Sequence, residues 1–213
     1  MGRIQGTDRS LRNLFEKHLI KMGEGLNIGQ DGKARCWWCA NDQLYMHYHD
    51  TEWGRETHDN IALYEKICLE GFQAGLSWLT ILRKREAFRE AFEGFDYIKV
   101  ASFNESDVER LLQNKDIIRH RGKIEAAIHN ARLVPDLIDE YGSLWNYFIR
   151  FRPDEPQPSD YDSVKSRAVT AESTALAKDL KKRGFKFLGP TTMYAHMQAM
   201  GLVNDHLHGC DFR

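Results

Sequence analysis

The chain has 213 residues and a mass of 24.8 kDa, which suits one domain or one domain of two lobes. Its 42% apolar and 29% charged residues supply a sizeable core and exclude wholesale disorder. With 30 Lys and Arg against 31 Asp and Glu, the net charge of −1 and pI near 6.8 exclude a polyanion binder acting through bulk charge. A local basic face is the remaining route to a nucleic acid.

Residues 1–34 read as an arm, partly flexible. Leu11, Leu14, Phe15 and Leu19 keep helical spacing before Gly23, Gly25, Gly29 and Gly32 break it. Met1 to Gln30 holds no apolar leader, and no apolar run approaches the ~20 residues that span a bilayer. A cytoplasmic protein without membrane contact is therefore expected. Residues 35–213 read as a single two-lobed domain. Asp59 can cap a helix carrying Ile61, Tyr64, Ile67 and Cys68, and a second helix carries Leu76, Leu79, Leu82 and Phe88. Asn104 can cap a third with Val108, Leu111 and Leu112, and a fourth starts near Gly122 with Ile124, Ala127, Ile128, Ala131 and Val134. Leu144, Trp145, Phe148 and Ile149 cluster next, and Pro153 to Pro158 form a linker. Two last helices are expected around residues 174–183 and 191–200. Alternating strand patterns are almost absent, so the fold class is all-α.

The four cysteines do not suggest a disulfide framework in a cytosolic chain. Cys68 reads as a small buried hydrophobe. Cys36 and Cys39 form a Cys-x-x-Cys pair with neither the strand before it nor the long helix after it that a redox dithiol wants, which favours metal. His206 and Cys210, four apart, can reach one ion. On spacing alone Cys36, Cys39, His206 and Cys210 are the natural set, with His47 and His49 as further candidates. Thiolate with imidazole suits zinc, and four protein ligands make a structural site.

Aromatics crowd the same region: Trp37, Trp38, Tyr45, Tyr48, Trp53 and then Trp78. They are a packed core or a cage for a planar or cationic ligand. Glu70 lies in an apolar run followed by Gly71, Ala74 and Gly75; such an acid is either at a helix surface or functional. Basic residues gather at 115–132 (five cations against two acids) and at 178–186 (five against one). Within the first patch, Arg119, Arg121 and Lys123 sit in a short turn between helices, a place from which cations and backbone N–H groups reach a phosphate.

These segments together resemble the 3-methyladenine DNA glycosylase I family, the TAG type within the helix–hairpin–helix superfamily. The matching stretches are Tyr45 to Gly54, Glu70 to Trp78, Ile117 to Lys123, Lys181 to Phe187 and Gly201 to His206, in fixed order across residues 35–210. The resemblance implies a helix–hairpin–helix fold and one structural zinc that ties the terminal segments together through Cys36, His49, His206 and Cys210, displacing Cys39. It implies that Glu70 hydrogen-bonds the damaged base and that Tyr48 and Trp78 sandwich it. Trp38 and Trp53 become further pocket aromatics. Arg119, Arg121, Gly122 and Lys123 become the DNA-binding hairpin, with Asp116 where a glycine is common.

The implied activity is hydrolytic excision of 3-methyladenine from double-stranded alkylated DNA by a monomer of bacterial type, with free 3-methyladenine as product. N3-methylation makes the base cationic within the nucleotide, so it leaves neutral and needs no strong general acid. Flipping, stacking and a carboxylate acceptor suffice. No hairpin lysine is placed as a Schiff-base nucleophile, so a monofunctional enzyme is expected, and Asp136 and Asp139 read as surface acids. Leu76, after Gly75, is a candidate wedge for the gap left by a flipped base. The competing readings are a glycosylase for another alkylated purine, a zinc-stapled DNA-binding module without activity, and a zinc hydrolase.

Overall fold

The computed structural model describes residues 23–39 and 42–213. A short hairpin comes first: β1 (Leu26–Ile28) pairs antiparallel with β2 (Ala34–Cys36), with Leu26 opposite Cys36. This corrects the purely helical expectation and gives part of the arm a defined structure. Three-residue strands are too short to show alternation. What closes them is local: Gly32 sits at φ +76°, and Asp31 accepts from the Lys33 N–H at 3.2 Å. The amphipathic helix expected at Leu11 to Leu19 lies outside the described residues.

Helices make up the rest. In chain order they are α1 (Gln43–Thr51), α2 (Asn60–Gln73), α3 (Trp78–Ala91), α4 (Tyr97–Ala101), α5 (Glu105–Gln113) and α6 (Arg121–Ala131). Then follow α7 (Val134–Tyr141), α8 (Leu144–Phe148), α9 (Tyr161–Ser166), α10 (Ala171–Lys182) and α11 (Pro190–Ala199). Side chains mark the starts as anticipated. Asp59 accepts from the Ile61 N–H, and Asn104 forms a reciprocal capping box with Asp107. Helix α9 was not foreseen; six residues leave too little periodicity to read. Among the described residues no helix is long and apolar enough to cross a membrane.

Helix α2 forms the axis of the molecule. Leu63, Tyr64 and every residue from Lys66 to Phe72 are buried, and α3, α6, α8 and α11 pack around it. A helix enclosed in this way should be uniformly apolar, yet α2 carries Lys66 and Glu70 one turn apart. A smaller cluster of Cys36, Val164, Leu207 and Cys210 lies where the hairpin meets the C-terminal segment. There the Ala34 N–H donates to the Asp211 carboxylate at 2.7 Å and the Asp211 N–H donates back to the Ala34 carbonyl at 2.9 Å.

Candidate active site

The structure brings Cys36, His49, His206 and Cys210 together, all buried, with one donor atom from each lying within 4.8 Å of the others. Cys210 Sγ is 3.5 Å from His206 Nδ1 and 3.6 Å from His49 Nε2, and Cys36 Sγ is 3.9 Å from His206 Nδ1. Tetrahedral bonds of about 2.3 Å to sulfur and 2.1 Å to nitrogen place neighbouring donors about 3.6 Å apart, so the donor set fits such an ion. The outer ring nitrogens are engaged: His49 Nδ1 with Asp50 at 2.8 Å and His206 Nε2 with the Trp53 carbonyl at 3.3 Å. That fixes which nitrogen faces inward. Asp50 is held in turn by Arg35, itself buried and bridged to Asp31. The neighbouring Cys210, and then burial, push the Cys36 thiol well above its ordinary range, a conflict that a cation between the two sulfurs would remove.

Cys39, favoured by spacing, does not join the group. The 3₁₀ turn Trp37–Cys39 directs its thiol to the Cys36 carbonyl at 3.1 Å. His49 lies 13 residues from Cys36, buried in the last turn of α1.

Beside this cluster lies a cleft of about 200 Å³. Trp38, Tyr48, Trp53, Glu70 and Trp78 all line it, together with Gln73 and Gln198, which the sequence reading did not single out. The aromatic wall is continuous with the Cys/His cluster, since the Trp53 ring centroid is 4.6 Å from His206 and 4.9 Å from Trp38. Tyr48 and Trp78 are 5.5 Å apart and tilted by 44°. A base stacked on both faces at about 3.4 Å needs about 7 Å between plates, so these rings stand as adjoining walls that must part to enclose one. Glu70 is 5% exposed and accepts no hydrogen bond from the described residues. Burial raises its carboxyl to about 7, and the nearby Lys66 opposes that rise. Trp78 Nε1 is buried without a partner. The cleft thus holds unmet hydrogen-bonding capacity inside an aromatic enclosure, which suits a planar ligand with a polar edge.

Three residues past Glu70, α2 ends, and Gly75 at φ +85° turns the chain so that Leu76 stands 41% exposed. Ser77 then caps α3, accepting from the Thr80 N–H at 3.2 Å. The turn between α5 and α6 lies nearby. Asp116 is accommodated there without a positive φ, its N–H donating to Asn114 at 2.9 Å. The hairpin cations are not equivalent. Arg119 is exposed and has no partner among the described residues. Arg121 is held by Glu105, Glu109 and Glu125. Lys123 donates to the Phe72 carbonyl at 3.0 Å and the Ala74 carbonyl at 2.7 Å, which joins α6 to the end of α2. Gly122 stands at the start of α6 with the exposed Phe187 ring beside it. Asp136 and Asp139 are exposed on α7, outside the cleft.

Comparison with known proteins bears on the whole arrangement. Residues 38–213 match the family model described as methyladenine glycosylase. The DNA-3-methyladenine glycosylase 1 of Escherichia coli (strain K12) is 50% identical over 181 residues, 83% of this chain and 95% of that one. A crystal structure of 3-methyladenine DNA glycosylase I (TAG) superposes with a TM-score of 0.78 at 52% identity, covering 83% of this chain and 98% of that chain. A variant of such an enzyme in complex with 3-methyladenine gives a TM-score of 0.76 at 37% identity, over 82% and 94%. The chain belongs to the methyladenine glycosylase family, of the 3-methyladenine DNA glycosylase I type.

Proposed function

We propose that this chain excises 3-methyladenine from double-stranded alkylated DNA by hydrolysis, as a monofunctional glycosylase acting on a flipped nucleotide. The observation that carries the reading is Glu70, a buried carboxylate that accepts no hydrogen bond from the described residues, in an aromatic cleft. In this reading the α5–α6 pair is the helix–hairpin–helix element, and Arg119 and the backbone at Gly122 meet phosphates. Arg121 and Lys123 contribute by holding that element rigid, each being engaged within the protein. Leu76 occupies the gap in the duplex. The base enters the cleft, Tyr48 and Trp78 part by roughly 1.5 Å to stack on it, Trp38 and Trp53 close the wall, and Glu70 accepts from its amino edge.

The chemistry follows from charge. The glycosidic bond breaks with its electron pair passing to the base, whose positive charge is thereby neutralised. Water supplies the hydroxyl at C1′, and its proton leaves to solvent. Glu70 recognises the base and favours the charge distribution around it. Cys36, His49, His206 and Cys210 would hold one zinc, whose part is to bind the hairpin, α1 and the C-terminal segment to one another.

Base release from methylated duplex DNA tests the proposal. Wild-type protein is expected to liberate 3-methyladenine and leave an abasic site, and Glu70→Ala to lose the activity while remaining folded. Absence of release by folded, zinc-loaded wild type would leave a DNA-binding module instead. A borohydride-trapped adduct with abasic DNA would overturn the monofunctional assignment.

A further inference from the structure

Lys66 has no part in the chemistry above, yet its side chain is buried on α2 one turn before Glu70. Burying an ammonium is costly unless it is put to use. Burial pulls Lys66 down to about 8, with Glu70 and Glu52 acting in the opposite direction. Two nearby carboxylates are already taken: Glu52, at the end of α1, by Arg85, and Glu65, beside Lys66 on α2, by Arg89. Its one hydrogen bond goes to Tyr48 Oη at 2.7 Å. The ammonium also lies 4.5 Å from the Tyr48 ring centroid and 4.3 Å from that of Trp78. It lines a separate cavity of about 270 Å³, together with Glu52, Glu65, Arg85 and Arg89, and is not among the residues lining the cleft.

An ammonium can only donate, so the phenolic oxygen of Tyr48 is the acceptor in this bond. Its own O–H has to point elsewhere, and it donates to no described residue. Tyr48 lines the cleft, and a hydroxyl proton turned that way would meet an acceptor held within it. We propose that Lys66 is a positioning residue that fixes the Tyr48 hydroxyl as a donor toward the bound base, complementing Glu70 as the acceptor. The pair then presents donor beside acceptor to one purine edge. Adenine offers an amino group and ring-nitrogen acceptors, whereas guanine places the O6 acceptor where adenine carries the amino group. Lys66 thereby contributes to preference for adenine-type bases from a position that touches no ligand. The inference rests on the proposed function and deepens it.

A double-mutant cycle on binding of free 3-methyladenine, followed by calorimetry, provides the test. Lys66→Met is expected to weaken binding by about tenfold, the loss of one oriented hydrogen bond. In the Tyr48→Phe background the same substitution should change binding less than about twofold. Equal losses in both backgrounds, or none in either, would overturn the proposal. A merely structural Lys66 gives the first of these. A second measurement needs only wild type: 1-deaza-, 7-deaza- and 9-deaza-3-methyladenine each remove one ring acceptor, and at least one should bind about tenfold more weakly. Unchanged affinity for all three would show that the hydroxyl does not donate. Base release by wild type, assayed in parallel, separates failure of this inference from failure of the glycosylase reading.

Discussion

The Cys/His cluster and the base cleft share a wall of aromatic side chains but treat polar groups in opposite ways. In the cluster every donor is matched: four inward atoms face one point, and each histidine's other nitrogen is engaged by Asp50 or by the Trp53 carbonyl. In the cleft the Glu70 carboxylate and the Trp78 indole N–H have no hydrogen-bond partner among the described residues. A saturated site contributes to folding; an unsaturated one waits for a ligand at some cost to the fold. The contrast teaches that proximity does not imply a shared task. Trp53, touching both, carries the rigidity of one into the shape of the other.

The strongest way to break the comparison is to strip the cluster. Cys210→Ala is expected to abolish bound metal, measured by elemental analysis, and to destabilise the fold by more than about 4 kcal/mol in denaturant titration. Unchanged stability would mean that the cluster is not a staple. Next comes the cleft, where Glu70→Gln should lower the rate of base release about 10²-fold while the melting temperature holds or rises. A matching drop in melting temperature would erase the distinction between the sites.

The pH dependence sharpens it further. The raised folded-state pKa of Glu70, about 7 through burial, favours its protonated form. Its contribution to stability is therefore present at low pH and is lost as pH rises through about 7. Activity, which needs the carboxylate ionised, should rise across the same interval, and Glu70→Gln should flatten that rise. A wild-type rate independent of pH between 6 and 8 would contradict the assignment.

Smaller effects belong to the DNA face. Leu76→Ala should slow release from duplex DNA by about tenfold and leave single-stranded substrate unaffected, given the cost of unstacking a base step. Equal rates on duplex DNA would end the wedge idea. Arg119→Ala should reduce the slope of log affinity against log salt by about one, read from binding titrations at several salt concentrations.

Much of this was legible from residues alone, for reasons that differ by element. Asp59 and Asn104 announced their helices because an N-cap is a local bond between a side chain and a backbone N–H two or three positions on. The partition of the cysteines was not legible from spacing. Both Cys39 and His49 lie within reach of Cys36 along the chain, and the choice depends on a 3₁₀ turn and on how α1 packs. The resemblance supplied the set that the structure brings together. Lys66 was not legible as a site residue because a lysine ordinarily reads as surface, although helical spacing places it one turn from Glu70 on a buried face. The strand pair was hidden by its length, and the availability of the hairpin cations depends on Glu105, Glu109 and the end of α2, contacts that no local pattern encodes.

The bond from Lys123 to the end of α2 has a mechanical consequence. It ties the element proposed to grip phosphates to the turn that presents Leu76, so the two behave as the jaws of a fixed caliper. Their separation is set by the protein before any DNA arrives. On the proposed function, a duplex that conforms to that gauge would be engaged without rearrangement, and a stiff one would have to be bent to meet it.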